Sequence, residues 1–244
     1  RSEIPTSLRI ESPDHRISAT LMLENGRPMY ALHVDGVPLI HPSALGYRLR
    51  LQDDLIGPFQ TVRIQEDELE SWWEPVWGQE NNIHSHSNQV KLELQEIKAP
   101  YRRLNLFFRV FNDGFAFRYD LPEQAGLDSV FIGDELSEFN FAKDGQTWWN
   151  LGAHAFDTYE QLYHETLLSE VDSANTPMTV MLNDSLFVSI HEANLTNYAA
   201  MTLKPSLQNP LSFMSNLVPW PDGDKVKTTL PMQSPWRTIT IGHT

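Results

Sequence analysis

Carboxylates and indoles are the side chains in this sequence whose types and spacing could do chemistry. Glu74, Glu80, Asp113, Glu165 and Glu192 are each available for proton transfer or for holding a hard cation. A carboxylate pair that cleaves glycosides needs a gap of about 5 to 5.5 Å or about 6.5 to 9.5 Å, and position along the chain does not set such a gap. With 32 Asp and Glu, most of these groups are solvated surface. Glu192 stands apart. It ends the run Leu186-Phe187-Val188-Ser189-Ile190-His191 and so sits at a strand terminus, where a rigid frame can hold a binding group. A carboxylate there suits Ca2+, which collects about six to eight oxygen ligands, so one residue does not complete such a site.

Trp72, Trp73 and Trp77 crowd one segment, and Trp148-Trp149 forms a second pair. An indole face can stack on the C–H face of a sugar, yet the same side chain more often fills a core or an interface, because it buries so much apolar area. Adjacent residues of a strand face opposite ways, so one Trp of each pair can meet a given ligand. The candidate platforms are Trp72, Trp77 and Trp148. His84-Ser85-His86 could place two imidazoles on one strand face; with no identified third ligand it reads as a loop or surface pair. His191, with Glu165 or Glu192, is a conceivable acid–base pair for an epimerase. His191-Glu192 and His164-Glu165 both begin like a helical zinc-protease motif, but Leu195 and Leu168 stand where the second His must be. There is no P-loop, no dinucleotide glycine fingerprint and no G-x-S-x-G elbow.

The elements that must position these groups are strands. Apolar residues alternate in Ile17–Leu23, Leu104–Val110 and Phe115–Tyr119. Asn25-Gly26 and Asp35-Gly36 tolerate positive φ and predict hairpins, as does Asn112-Asp113-Gly114. Further hairpins are predicted at Asp144-Gly145 and Asn183-Asp184, and a last strand at Trp236–Ile241. Tyr159, Leu162, Tyr163 and Leu167 fall at helical offsets and predict a short helix over Thr158–Leu168. Prolines between Pro205 and Pro221 predict long loops. About a dozen or more strands at this spacing make the chain an all-β sandwich or barrel. No linker or repeat divides it, so residues 1–244 read as one domain.

Composition removes whole classes of function. The absence of cysteine excludes disulfides, thiolate zinc sites and cysteine nucleophiles. A net charge of −14 argues against a nucleic-acid partner, which requires clustered Lys and Arg. No apolar run approaches the roughly 20 residues of a membrane-spanning helix. The N-terminal residues Arg1 to Pro5 carry no apolar export segment, so any such signal has been removed or never existed.

Six segments in order carry a family resemblance: Ser12-Pro13-Asp14, Trp73–Gly78, Phe108–Tyr119, Ala174–Pro177, Ile190–Ala193 and Pro235–Ile239. Together they resemble the N-terminal domain of glycoside hydrolase family 97, a family of α-glucosidases and α-galactosidases. The resemblance implies an antiparallel β-super-sandwich, galactose mutarotase-like, that precedes a catalytic (β/α)8 barrel. It also implies an exo-acting, periplasmic or secreted enzyme that takes α-linked oligosaccharides. The family's catalytic carboxylates lie on the barrel, so none is expected in this chain. The His-Glu-Ala segment implies that Glu192 is a calcium ligand in the full-length protein, with weak or no calcium binding by residues 1–244 alone. A surface that packs on the barrel implies self-association when the barrel is absent. A free-standing carbohydrate-binding module is the alternative reading.

Overall fold

Period-two alternation puts one face of each strand in the core and the other in water, and the chain resolves this requirement by stacking two large antiparallel sheets. The computed structural model describes residues 7–152 and 160–243. An eight-stranded sheet runs, edge to edge, Ser7–Glu11, Ile17–Glu24, Arg27–Val34, Val37–Ala44, Glu138–Phe141, Ser212–Leu217, Met201–Pro205 and Ala174–Asn175. The facing sheet has ten strands. Nine follow the path His164–Leu167, Gln146–Trp149, Met178–Met181, Leu186–Ala193, Trp236–His243, Gly114–Leu121, Arg103–Phe111, Ile83–Glu96 and Phe59–Trp73, and Met232–Gln233 pairs beside Gly114–Leu121. A three-stranded sheet, Val226–Thr229, Ser129–Glu135 and Tyr47–Leu49, completes the framework.

Aromatic residues from the two large sheets meet in the core. Tyr30 of one sheet stacks on Phe115 of the other at 5.3 Å and packs tilted against Phe117 at 5.2 Å, and Phe139 lies 6.1 Å from Phe117. The buried side chains of all three sheets form one continuous cluster. On the outer face of the ten-stranded sheet, Arg109 and Arg118 each lie 4.6 Å from the Trp236 ring. The edge hairpin Phe59–Trp73/Ile83–Glu96 projects a charged outer strand with Glu66, Asp67, Glu68 and Glu70, which discourages further strand addition.

The predicted turns at Asn25-Gly26 and Asp35-Gly36 are present, with φ of 52° and 79° in the first and 49° and 79° in the second. Asn112-Asp113 and Asn183-Asp184 also join paired strands. Asp144-Gly145 does not. It carries the chain from the eight-stranded to the ten-stranded sheet, and the Asp144 carboxylate accepts from the backbone of Gly145 and Ser169 and from Ser169 Oγ. A turn-forming dipeptide marks a change of direction but not which strands it joins.

The predicted helix over Thr158–Leu168 is replaced by strand. Thr158 and Tyr159 lie outside the described residues, but His164–Leu167 pairs with Gln146–Trp149 and is followed by a 3-10 turn at Leu168–Glu170. Trp149 decides this, stacking on His164 at 4.6 Å and donating from Nε1 to Thr166 Oγ1. The Pro205–Pro221 region is also not all loop, since Ser212–Leu217 is a central strand with alternating burial.

Candidate functional site

In Trp236-Arg237-Thr238-Ile239-Thr240-Ile241, the period of two places Arg237 on the same inward face as Ile239 and Ile241. The neighbouring strand repeats the pattern, with Glu192 in the inward register of Val188 and Ile190 and directly opposite Arg237. A charge on the buried face is costly unless it is paired and hydrogen-bonded. Both conditions are met.

Arg237 is fully buried. Its Nε and Nη2 donate to Glu135 Oε1 and Oε2 at 2.8 and 2.7 Å, a bidentate clamp, and Nη1 donates to Glu192 Oε2 at 2.6 Å. Glu135 belongs to the three-stranded sheet, so the clamp ties that sheet to the ten-stranded one. Ser137 Oγ donates to Glu135 Oε1 and Tyr198 Oη to Oε2, each at 2.8 Å. Tyr119 Oη lies 2.7 Å from Ser137 Oγ, and Tyr47 Oη 3.1 Å from Tyr198 Oη. Burial would raise the Glu135 carboxyl, but the Arg237 charge and these donors hold it below its ordinary value. Burial and then the Glu135 charge push the Tyr47, Tyr119 and Tyr198 phenols above theirs, so all three remain protonated donors.

Glu192 marks the outer limit of this network. Its side chain is 9% exposed, with Oε2 on Arg237 and Oε1 accepting from the Met201 backbone N–H at 3.1 Å. The intervening loop bends through Asn194 and Asn197 in the left-handed region, which Asn tolerates, and carries the chain into the other large sheet. Each Glu192 oxygen accepts one bond and retains a second lone pair. The cluster of Arg237, Glu135 and Glu192 carries one positive and two negative charges, a surplus of one negative charge nearest its most exposed member. A carboxylate so fixed and under-neutralised fits the role of a single calcium ligand. Among the described residues no group of three potential ligands forms, so the remaining oxygens of such a shell would come from outside them.

The other candidate groups are dispersed. Glu74, Glu80 and Asp113 are exposed in the connections at the end of the ten-stranded sheet opposite Glu192. His191 faces outward where Glu192 faces inward, so the two do not share a substrate. Glu165 and His191 occupy the same face, but Glu165 is three strand spacings, about 14 Å, from the strand that holds His191. His84 and His86 do share a strand face, and Glu70 and Glu68 hold them at 2.9 and 2.7 Å. One face of Trp72 stacks on His84, with ring centroids 3.9 Å apart, while the side chain stays largely exposed, and Trp148 stacks near Phe187 at 6.4 Å. Trp77 is 89% exposed beyond the long hairpin. Sequence reasoning did not single out Arg237, Glu135 or Tyr198; the available signal was a charged residue in the inward register of an otherwise apolar strand face.

A family model described as Glycosyl-hydrolase 97 N-terminal matches residues 10–244. The chain belongs to this family. Its fold matches that of a glycoside hydrolase family 97 enzyme from Pseudoalteromonas sp. strain K8, solved in complex with acarbose and, as a variant, with panose. In both comparisons the TM-score is 0.90 and the identity 31%, covering 96% of this chain and 35% of the enzyme. A β-arabinopyranosidase at 21% identity shares the fold, with a TM-score of 0.84 over 96% of this chain and 40% of its own. This family 97 domain therefore spans about a third of the length of the family enzymes it matches.

Proposed function

We propose that this domain is the non-catalytic N-terminal sandwich of an exo-acting α-glycoside hydrolase, an α-glucosidase or α-galactosidase, that is periplasmic or secreted. It gives a following (β/α)8 barrel one calcium ligand, Glu192, and part of the wall of its sugar pocket. The observation that carries this reading is the Glu192 carboxylate, locked by Arg237 and the Met201 N–H at the margin of a cluster with surplus negative charge. The greater length of the family enzymes, and the acarbose and panose in their complexes, support a catalytic partner and a sugar ligand.

Each residue then has a defined task. Arg237 fixes the orientation of Glu192 and is itself fixed by Glu135, so the ligand oxygen is placed before any ion arrives. When bound, calcium supplies positive charge that orients sugar hydroxyls and supports charge at the reacting centre. The loop between Ala193 and Met201 is held on one side by the Glu192–Met201 bond and on the other by Tyr198.

The test uses both the domain and a longer polypeptide that includes the catalytic part. In the longer protein, Glu192→Gln is expected to weaken calcium binding by at least about tenfold, measured by calorimetric titration, and to lower p-nitrophenyl α-glucoside or α-galactoside hydrolysis in parallel. Residues 1–244 alone are expected to release no p-nitrophenol above a blank. Unchanged calcium affinity in the variant, or a calcium-dependent rate from the isolated domain above its Glu192→Gln control, would overturn the proposal.

A further inference from the structure

Beside Tyr198 lies a groove of about 1100 Å3, large against the roughly 300 to 1,000 Å3 of ordinary small-ligand sites. Its rim carries Trp220, an indole 59% exposed in the segment Val218-Pro219-Trp220-Pro221. Prolines on both sides restrict the backbone. The Trp220 N–H donates to the Asp224 carbonyl at 2.7 Å, and the Gly223 N–H donates to the Trp220 carbonyl at 2.8 Å. Lys227 Nζ lies 5.7 Å from the ring centroid and is itself held by Asp222 and Asp224. The backbone that carries the ring is therefore ordered before a ligand arrives, which reduces the ordering cost of binding.

The lining is selective in its chemistry. Asn197 contributes an exposed amide, Ser129, Thr228 and Thr229 contribute hydroxyls, and the Asn175 amide is taken up by the Leu151 carbonyl. In a chain with 32 acidic residues, no carboxylate is among the described residues that line the groove. That composition suits neither a cation nor acid–base catalysis. Of its two lysines, Lys227 is paired with Asp222 and Asp224, which leaves Lys225 as a single positive charge, too little to hold a polyanion. An aromatic plane with amide and hydroxyl groups around it matches a ligand with an apolar C–H face and a hydroxyl rim.

We infer that this groove binds a neutral oligosaccharide, with Trp220 as the stacking platform and Asn197 as a hydrogen-bonding partner of its hydroxyls. The inference rests on the carbohydrate reading above but not on calcium, because Glu192 does not line the groove. Residues 1–244 are titrated with maltotriose, α-1,6-galactobiose and cellotriose while the indole N–H signals are followed by NMR. At least one sugar is expected to give a saturable shift at Trp220, with a dissociation constant on the order of 1 mM. Trp220→Ala is expected to weaken that binding at least about tenfold, with Trp220→Phe intermediate and Trp77→Ala unchanged. Absence of a saturable shift with all three sugars, a shift confined to another indole, or equal binding by Trp220→Ala would overturn the inference. Those results would leave the calcium reading intact, since it is measured separately through Glu192 in the longer polypeptide.

Discussion

A single buried arginine sets the chemistry at the residue scale. Arg237 neutralises Glu135 through two hydrogen bonds and directs Glu192 through a third, so one side chain both joins two sheets and aims a carboxylate. Replacing one partner of a buried pair strands the other charge, at a cost of about 3–5 kcal/mol. Arg237→Met is therefore expected to lower stability by that order in urea denaturation. Glu135→Gln, which leaves Arg237 the Glu192 carboxylate and one amide oxygen, is expected to cost less. The acid limb has a definite sign. The folded-state Glu135 carboxyl lies below its ordinary value near 4.5, so the unfolded chain binds the extra proton first. Its contribution is complete above about pH 4.5 and is lost as pH falls through the depressed folded value. Glu135→Gln should flatten that part of the stability–pH curve; an unaltered slope would contradict the assignment.

At the element scale, backbone contacts decide where strands cross between sheets. A Cβ on Gly145 would lie 2.4 Å from the Met181 carbonyl oxygen, whereas one on Gly242 would meet nothing within 4 Å. Gly145→Ala is therefore expected to destabilise by about 2 kcal/mol or more and Gly242→Ala by no more than about 0.5 kcal/mol, read from denaturation midpoints at constant m-value. Comparable losses would show that Asp144-Gly145 is not a tight crossing. The same scale explains why the helical pattern at Tyr159, Leu162, Tyr163 and Leu167 misleads. Leu162 and Tyr163 are 91% and 60% exposed, so their spacing does not describe a buried helical face. Edge pairing with Gln146–Trp149 supplies His164–Leu167 with backbone partners that a short, uncapped helix would lack.

At the scale of the whole molecule, exposed apolar side chains cluster where the edge hairpin ends. Trp72, Trp73, Val76 and Trp77 are exposed there. Contiguous apolar surface of this kind marks interaction sites. Left uncovered, this patch is expected to give residues 1–244 a sedimentation coefficient that rises with concentration. Strictly monomeric sedimentation into the range of about several hundred micromolar would count against an uncovered interface of this kind.

The sequence by itself determined the class of fold and its family. Period-two alternation and turn pairs such as Asn25-Gly26 and Asp35-Gly36 are local properties, written in neighbouring residues, and the six family segments lie in order along the chain. It also singled out Glu192, because a strand end can be read from the apolar run that precedes it. Only the tertiary structure decided what Glu192 touches. Arg237 and Glu135 lie 45 and 57 positions from it in sequence, and it is the closure of the sheets that brings the three together. Trp220, unremarkable in a Pro-rich stretch, likewise stands out only once the chain around it forms a groove with no carboxylate among its described lining residues. Local periodicity reports which face of an element is buried; which charges share that buried space depends on contacts between distant strands, and the alternation along any one strand does not encode them.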